Sequence, residues 1–201
     1  AATLKHFVGQ GINVGGRNCA PVKISRREIL DEYAVPFAAA IQEADAAAVM
    51  AVYHEIDQVP CHASKEILTE ILRDKLGFKG LTMSDGNGIQ LLKTFQEYVP
   101  NLKAAVKESL AAGIELELDN IYKDHLKEVI KEGRVKEEVV DSEVKKILTL
   151  KFNLGLFDDP YVNEDAVTNK VANQEHLATS RQMALESLTL LKNEADILPL
   201  D

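Results

Sequence analysis

Two short apolar runs in this chain break at a polar pair with glycine close behind: Lys5-His6 before Phe7-Val8-Gly9, and Ser84-Asp85 before Gly86. No other feature narrows the fold as much. A strand that stops in polar side chains and passes through glycine into a helix is the unit of a βα barrel, which presents its chemistry at the carboxyl ends of its strands. Residues 3–8 read as one such strand. Residues 47–53, AAVMAVY, are continuously apolar, as expected of a strand covered on both faces. Residues 80–84 and 114–118 read as two more. In the last, Glu115 and Glu117 fall on one side of the alternation, which would put two carboxylates on one face.

Helices are expected between the strands. Ser25 with Glu28 three positions on makes a capping box, and Ile29, Leu30, Tyr33, Phe37, Ala40, Ile41 and Ala44 carry the apolar face to about residue 44, interrupted at Pro36. Ser64 is the expected N-cap of a helix over 65–76 that stops at Gly77. Further helices are expected over 89–95, 102–112, 121–132 and 136–154. About four βα units result, and crossovers of this kind specify parallel strands with right-handed connections. From residue 158 the character changes: 161–165 is turn-like, 176–191 reads as helix, and 197–201 reads as the entry to a further element.

Composition excludes some function classes. The formal net charge is −9 and no basic run occurs, which argues against nucleic acid and anionic membrane as partners. No apolar stretch approaches the roughly 20 residues that span a bilayer. The N-terminus, AATLKHFVGQG, reads as the middle of a protein and leaves the compartment open. Cys19 and Cys61 are too few for a disulfide framework and are expected to be unpaired, small and buried. His54, His62, His125 and His176 lack metal-ligand spacing and read as loop or surface residues, so neither a metal nor another cofactor is implied.

The strings KHFVGQG, GGRNCAPV, SRREILDEYAVPFAAAIQEADAAAVMAVY, IDQVPCHAS, LGFKGLTMSD, KFNLGLFDDPYV and LLKNEADILPL, in this order, resemble glycoside hydrolase family 3, of the β-glucosidase and β-xylosidase type. The resemblance implies an α/β fold, a partial (β/α)8 TIM-type barrel. Residues 1–157 would be the C-terminal half of the family's N-terminal barrel domain, and residues 158–201 a helical linker toward an α/β sandwich domain. Asp85 matches the catalytic nucleophile, although a Ser-Asp before Gly-Asn-Gly is also a plain helix cap. Lys5 and His6 match the pair that grips sugar hydroxyls, where the alternative is a solvated strand end. Met50 and Tyr53 match positions lining the site, against a purely structural role in the core. Arg17 is expected in a structural ion pair, and Glu117 is kept as a candidate substrate contact.

Departures sharpen the expectation. Gln10 and the histidine-free loop INVGGRN argue against the N-acetylglucosaminide-cleaving branch. Gly86 stands where many relatives carry an aromatic residue, which widens the pocket floor. The implied activity is retaining, exo-acting hydrolysis of terminal β-D-glucosyl or β-D-xylosyl residues through a glycosyl-Asp85 intermediate, with the general acid supplied by the second domain. These residues alone would then show negligible activity, and open barrel edges would favour self-association. The alternative is a catalytically incompetent fragment or a sugar-binding remnant.

Overall fold

The computed structural model describes residues 1–194 and 197–200. Ala195, Asp196 and Asp201 lie outside the described residues, and with them the last position of the 197–201 segment. The chain forms two compact units, Ala1–Asp158 and Asp159–Asp201.

In the first unit, β1 (Thr3–Phe7), β2 (Ala48–Ala51) and β5 (Leu81–Met83) form a parallel sheet in the order β1-β2-β5. A small antiparallel hairpin of β3 (Glu55–Ile56) and β4 (Val59–Pro60) follows β2. All four residues of β2 are buried, as their unbroken apolar character predicts for the central strand. Val49 and Ala51 enter the main core with Phe7, Leu68, Ile71, Leu72, Ile89, Leu92 and Val106. Phe37 joins them through an edge-on contact with Phe7, ring centroids 5.0 Å apart.

The helical segments follow their caps. The Ser25 box forms as expected, with the Ser25 side chain accepting from the Glu28 N–H and the Glu28 carboxylate accepting from the Ser25 N–H. The helix it starts passes through a π-type turn, Ile29–Tyr33, and resumes as Val35–Ala44 with Pro36 in its first turn, where a missing N–H costs nothing. Ser64 Oγ accepts from the Ile67 N–H at the start of the π-type helix Glu66–Lys75. Gly88–Thr94, Leu102–Ala112, Ile121–Lys131 and Glu137–Asn153 complete the first unit. In the second unit the main helix is Gln174–Ser187, capped by the Asn173 side chain. It stops short of the expected residue 191; the Ser187 hydroxyl turns back to the Ala184 carbonyl, and Leu188 is already extended.

The fourth strand departs most from expectation. Residues 114–118 make only a single parallel bridge, Leu116 to Met83. The reason lies in Glu115. Its carboxylate takes the Thr82 N–H at 2.5 Å, the donor a neighbouring strand's carbonyl would otherwise take. The Ile114 carbonyl accepts from the Tyr122 hydroxyl instead. The Glu115 side chain is fully buried and is held by Arg73, which also donates to Thr82 Oγ1 at 2.9 Å, and by Lys146 at 2.9 Å. Burial pushes this carboxyl up, and the two cations pull against that. The paired carboxylates of 115 and 117 therefore do not share a face: one is a buried structural anchor and the other a helix cap.

Two substitutions test this frame. Gly80 precedes β5 so closely against β2 that a Cβ there would stand 2.3 Å from the Ala47 carbonyl oxygen and 2.7 Å from Phe78 Cζ. Gly80→Ala is expected to destabilise the protein by about 1–3 kcal/mol, since backbone must yield. Arg73→Leu leaves a buried carboxylate with fewer partners and is expected to cost about 3 kcal/mol. Denaturant unfolding measures both, and unchanged midpoints would contradict the packing described.

Candidate active site

The carboxyl ends of β1, β2 and β5 meet on one rim, because parallel strands all finish on the same side. On β1 the register slips: Leu4 pairs with Val49 and Phe7 with Ala51, so three steps on one strand oppose two on the other. Such a bulge re-aims the side chains inside it. Those side chains are Lys5, which is exposed, and His6, which is half-buried. The residue that follows them, Phe7, is fully buried and anchors the strand end.

His6 Nε2 lies 3.0 Å from Asp85 Oδ2. Burial lowers the imidazole's pKa, Asp85 raises it and the Lys5 cation lowers it further, with a net downward shift. The contact at neutral pH is therefore a hydrogen bond from a neutral ring. The other carboxylate oxygen, Oδ1, accepts the Gly86 N–H at 2.7 Å. Each oxygen thus has one donor, and the side chain stays 15% exposed, open to a ligand. Asp85 does also start a helical turn, since its carbonyl accepts the Gly88 N–H at 2.9 Å, but its carboxylate is turned to the rim residue His6.

Tyr53 follows β2 and donates its hydroxyl to the Gly86 carbonyl at 2.7 Å. Burial, and then the Asp85 carboxylate, push its phenol up to about 12. It remains a donor throughout the neutral range. A Cβ built on Gly86 would meet only this hydroxyl, at 3.8 Å, so the floor beside Asp85 is open there. Met50 is buried and pairs in register with Met83. Along β2 it alternates with Val49 and Ala51, which places it on the other face of the sheet. Asp85, His6, Tyr53 and, through His6, Lys5 are brought together; Met50 lies below them in the sheet.

Several residues lie elsewhere than expected. Glu117 accepts the N–H groups of Ile121 and Tyr122 at 3.0 and 2.6 Å, so it caps the Ile121–Lys131 helix and has little left for a substrate. Arg17 is exposed and has no ion-pair partner among the described residues. His54 and His62 are not loop surface: they are 0% and 1% exposed. His54 accepts from the Asn13 amide on Nδ1 at 3.1 Å, and so donates from Nε2 to the Val8 carbonyl at 2.9 Å, tying the glycine-rich loop to β1. His62 Nε2 accepts the Asp85 N–H at 3.1 Å. Both cysteines are free; Cys61 is buried, whereas half-buried Cys19 sits near enough to Asp85 for the carboxylate to raise its thiol further after burial. Asp119 accepts the Asn87 N–H on the same rim. The sequence signal for His62 is its place in Pro-Cys-His-Ala just before a helix cap, facing a Gly-Asn-Gly turn that leaves room for a ring.

The arrangement offers a partly exposed carboxylate with neutral donors on both oxygens, a phenol donor and a cation, above an open floor. Among the described residues no group of His, Cys, Asp and Glu is disposed to hold a metal ion. Burial holds both His54 and His62 at about 4. Between about pH 6.5 and 4 the folded chain therefore binds fewer protons than the unfolded one, so the stability these rings contribute is complete above 6.5 and is lost as pH falls toward 4. Urea midpoints should decline over this window, less steeply in His62→Gln; a flat profile would contradict neutral burial.

Comparison with known proteins fits this geometry. Residues 1–150 match the model of the glycosyl hydrolase family 3 N terminal domain. A β-xylosidase of Formosa agariphila is 36% identical over 208 aligned residues, covering 100% of this chain and 29% of that protein. A β-glucosidase structure from Erythrobacter marinus superposes with a TM-score of 0.90 at 36% identity, covering 100% of this chain and 27% of the other. A Listeria innocua β-glucosidase in complex with glucose gives 0.89 at 34% identity, covering 100% and 28%. The chain thus spans between a quarter and a third of the length of these relatives.

Proposed function

The chain belongs to glycoside hydrolase family 3, and we propose that it carries the nucleophile side of the active site of a retaining, exo-acting β-glycosidase acting on terminal β-D-glucosyl or β-D-xylosyl residues. The observation that supports this is the Asp85 carboxylate at the end of β5, partly exposed and 3.0 Å from His6. In the first step Asp85 attacks the anomeric carbon and the bond to the leaving oxygen breaks, giving a glycosyl ester through an oxocarbenium-like transition state. Water then attacks the anomeric carbon from the opposite face, the side the leaving oxygen vacated, and releases Asp85 as carboxylate, so two inversions retain the configuration. Lys5 donates to sugar hydroxyls on the rim, and His6, whose one N–H goes to Asp85, accepts from a sugar hydroxyl at its other ring nitrogen. The hydroxyl of Tyr53 holds the Gly86 peptide, and so the floor, in place.

Retention requires a second carboxyl about 5–5.5 Å from the first, to protonate the leaving oxygen. In this reading that acid comes from a second domain, toward which residues 158–201 lead. Residues 1–157 then supply the second half of the barrel. The carbohydrate-bound relative from Listeria innocua supports a sugar as the ligand.

The test is labelling of the purified protein with dinitrophenyl 2-deoxy-2-fluoro-β-glucoside and its xyloside counterpart, whose leaving group needs no protonation. One sugar is expected on the peptide carrying Asp85, with the faster label naming the glycone. Asp85→Asn should abolish labelling and lower aryl-glycoside hydrolysis more than about a thousand-fold. Labelling elsewhere, or undiminished hydrolysis by Asp85→Asn, would sink the assignment. Sugar binding by calorimetry without any labelling would favour a binding remnant.

A further inference from the structure

One buried imidazole lies directly behind the carboxylate and takes no part in the chemistry above. His62 sits in the short turn Cys61–Ala63 that follows β4. Its Nε2 accepts the Asp85 N–H at 3.1 Å, which puts the ring proton on Nδ1, and the Val52 carbonyl provides a backbone acceptor for the ring. One ring therefore links the residue after β2 to the second residue after β5. The Tyr53 ring stacks on it, centroids 6.1 Å apart at 27°. On another side Gly88 makes room: a Cβ there would stand 2.2 Å from Nε2.

We propose that His62 is a positioning residue for Asp85, holding by its backbone N–H the peptide from which the carboxylate projects and so setting the line along which that carboxylate meets the anomeric carbon. The proposal rests on the nucleophile role of Asp85 given above. A hydrocarbon of the same volume would fill the space but leave that N–H without its partner, at a cost in order as well as stability. His62 is nearly wholly buried, so it acts on the reaction only through Asp85. Because burial keeps the ring neutral, Nε2 stays an acceptor across the neutral range.

Steady-state kinetics of the purified protein on dinitrophenyl β-glucoside and β-xyloside, whose leaving group needs no acid, test this with His62→Leu, His62→Gln and Gly88→Ala. A misplaced nucleophile costs chemistry more than binding, so kcat in His62→Leu should fall about 10- to 100-fold with KM within about threefold. The Gln side-chain oxygen can accept the same N–H, so His62→Gln should recover most of kcat. Gly88→Ala keeps the imidazole but displaces it; kcat should fall here too, and this variant decides the matter should His62→Leu not fold. Wild-type kcat in His62→Leu or in Gly88→Ala, a loss confined to KM, or no recovery in His62→Gln would each overturn the positioning role alone. A wild-type protein that neither cleaves these acid-independent glycosides nor takes a fluoroglycoside label on Asp85 would overturn the nucleophile reading and this proposal with it. The Asp85 amide proton resonance, shifted upfield in His62→Leu relative to wild type, reports the hydrogen bond independently of activity.

Discussion

Parallel strands cannot be closed by a tight turn, and that constraint shapes everything functional in this molecule. Each of β1, β2 and β5 must be followed by a crossover before the next begins, so all three deliver their last residues to one rim. The central strand makes this hold. Because β2 is buried on both faces, its register with both neighbours is strongly specified, and a slip by one residue would exchange core and opposite face throughout. Phe7 and Leu81 are locked on either side, and His6 and Asp85, far apart in the chain, arrive within hydrogen-bond distance.

Charge is handled differently at the two depths of the sheet. Beneath the rim, Glu115 is fully buried and needs two cations, Arg73 and Lys146, together with a backbone N–H. At the rim, Asp85 is partly solvated and is met by a peptide N–H and a neutral imidazole. A strong ion pair at the rim would restrain the carboxylate and quench its nucleophilicity; neutral donors orient it and leave the charge available. Lys5, next to His6 in β1, remains exposed at this rim.

Much of this was legible beforehand, for identifiable reasons. The buried strand at 47–53 carries its own signature in an unbroken apolar run, and the Ser25 box forms because cap and partner lie three residues apart. Helix ends at Gly77, Gly113 and Gly155 follow from a local requirement for positive φ that glycine meets without strain. Misreadings occurred where side chains take up backbone donors or are covered by other segments. The 114–118 segment has strand-like alternation, but the Glu115 side chain occupies the donor its ladder needs. Glu117 looks like a free rim carboxylate until the helix behind it claims both oxygens. His54 and His62 stand in polar surroundings along the chain, and only the packing of other segments over them makes them buried and neutral.

The amino-acid order by itself determined the βα alternation, the caps, the two polar strand ends and the family, because each depends on residues near one another or on their linear succession. Only the tertiary structure decided which carboxylate stays open, which becomes an anchor and which a cap, and that an imidazole read as loop or surface lies behind Asp85. For Glu115 and Asp85 those outcomes depend on partners in elements tens of residues away, and a hydrogen bond across such a separation leaves no periodic trace in the chain; for Glu117 they depend on where the following helix starts.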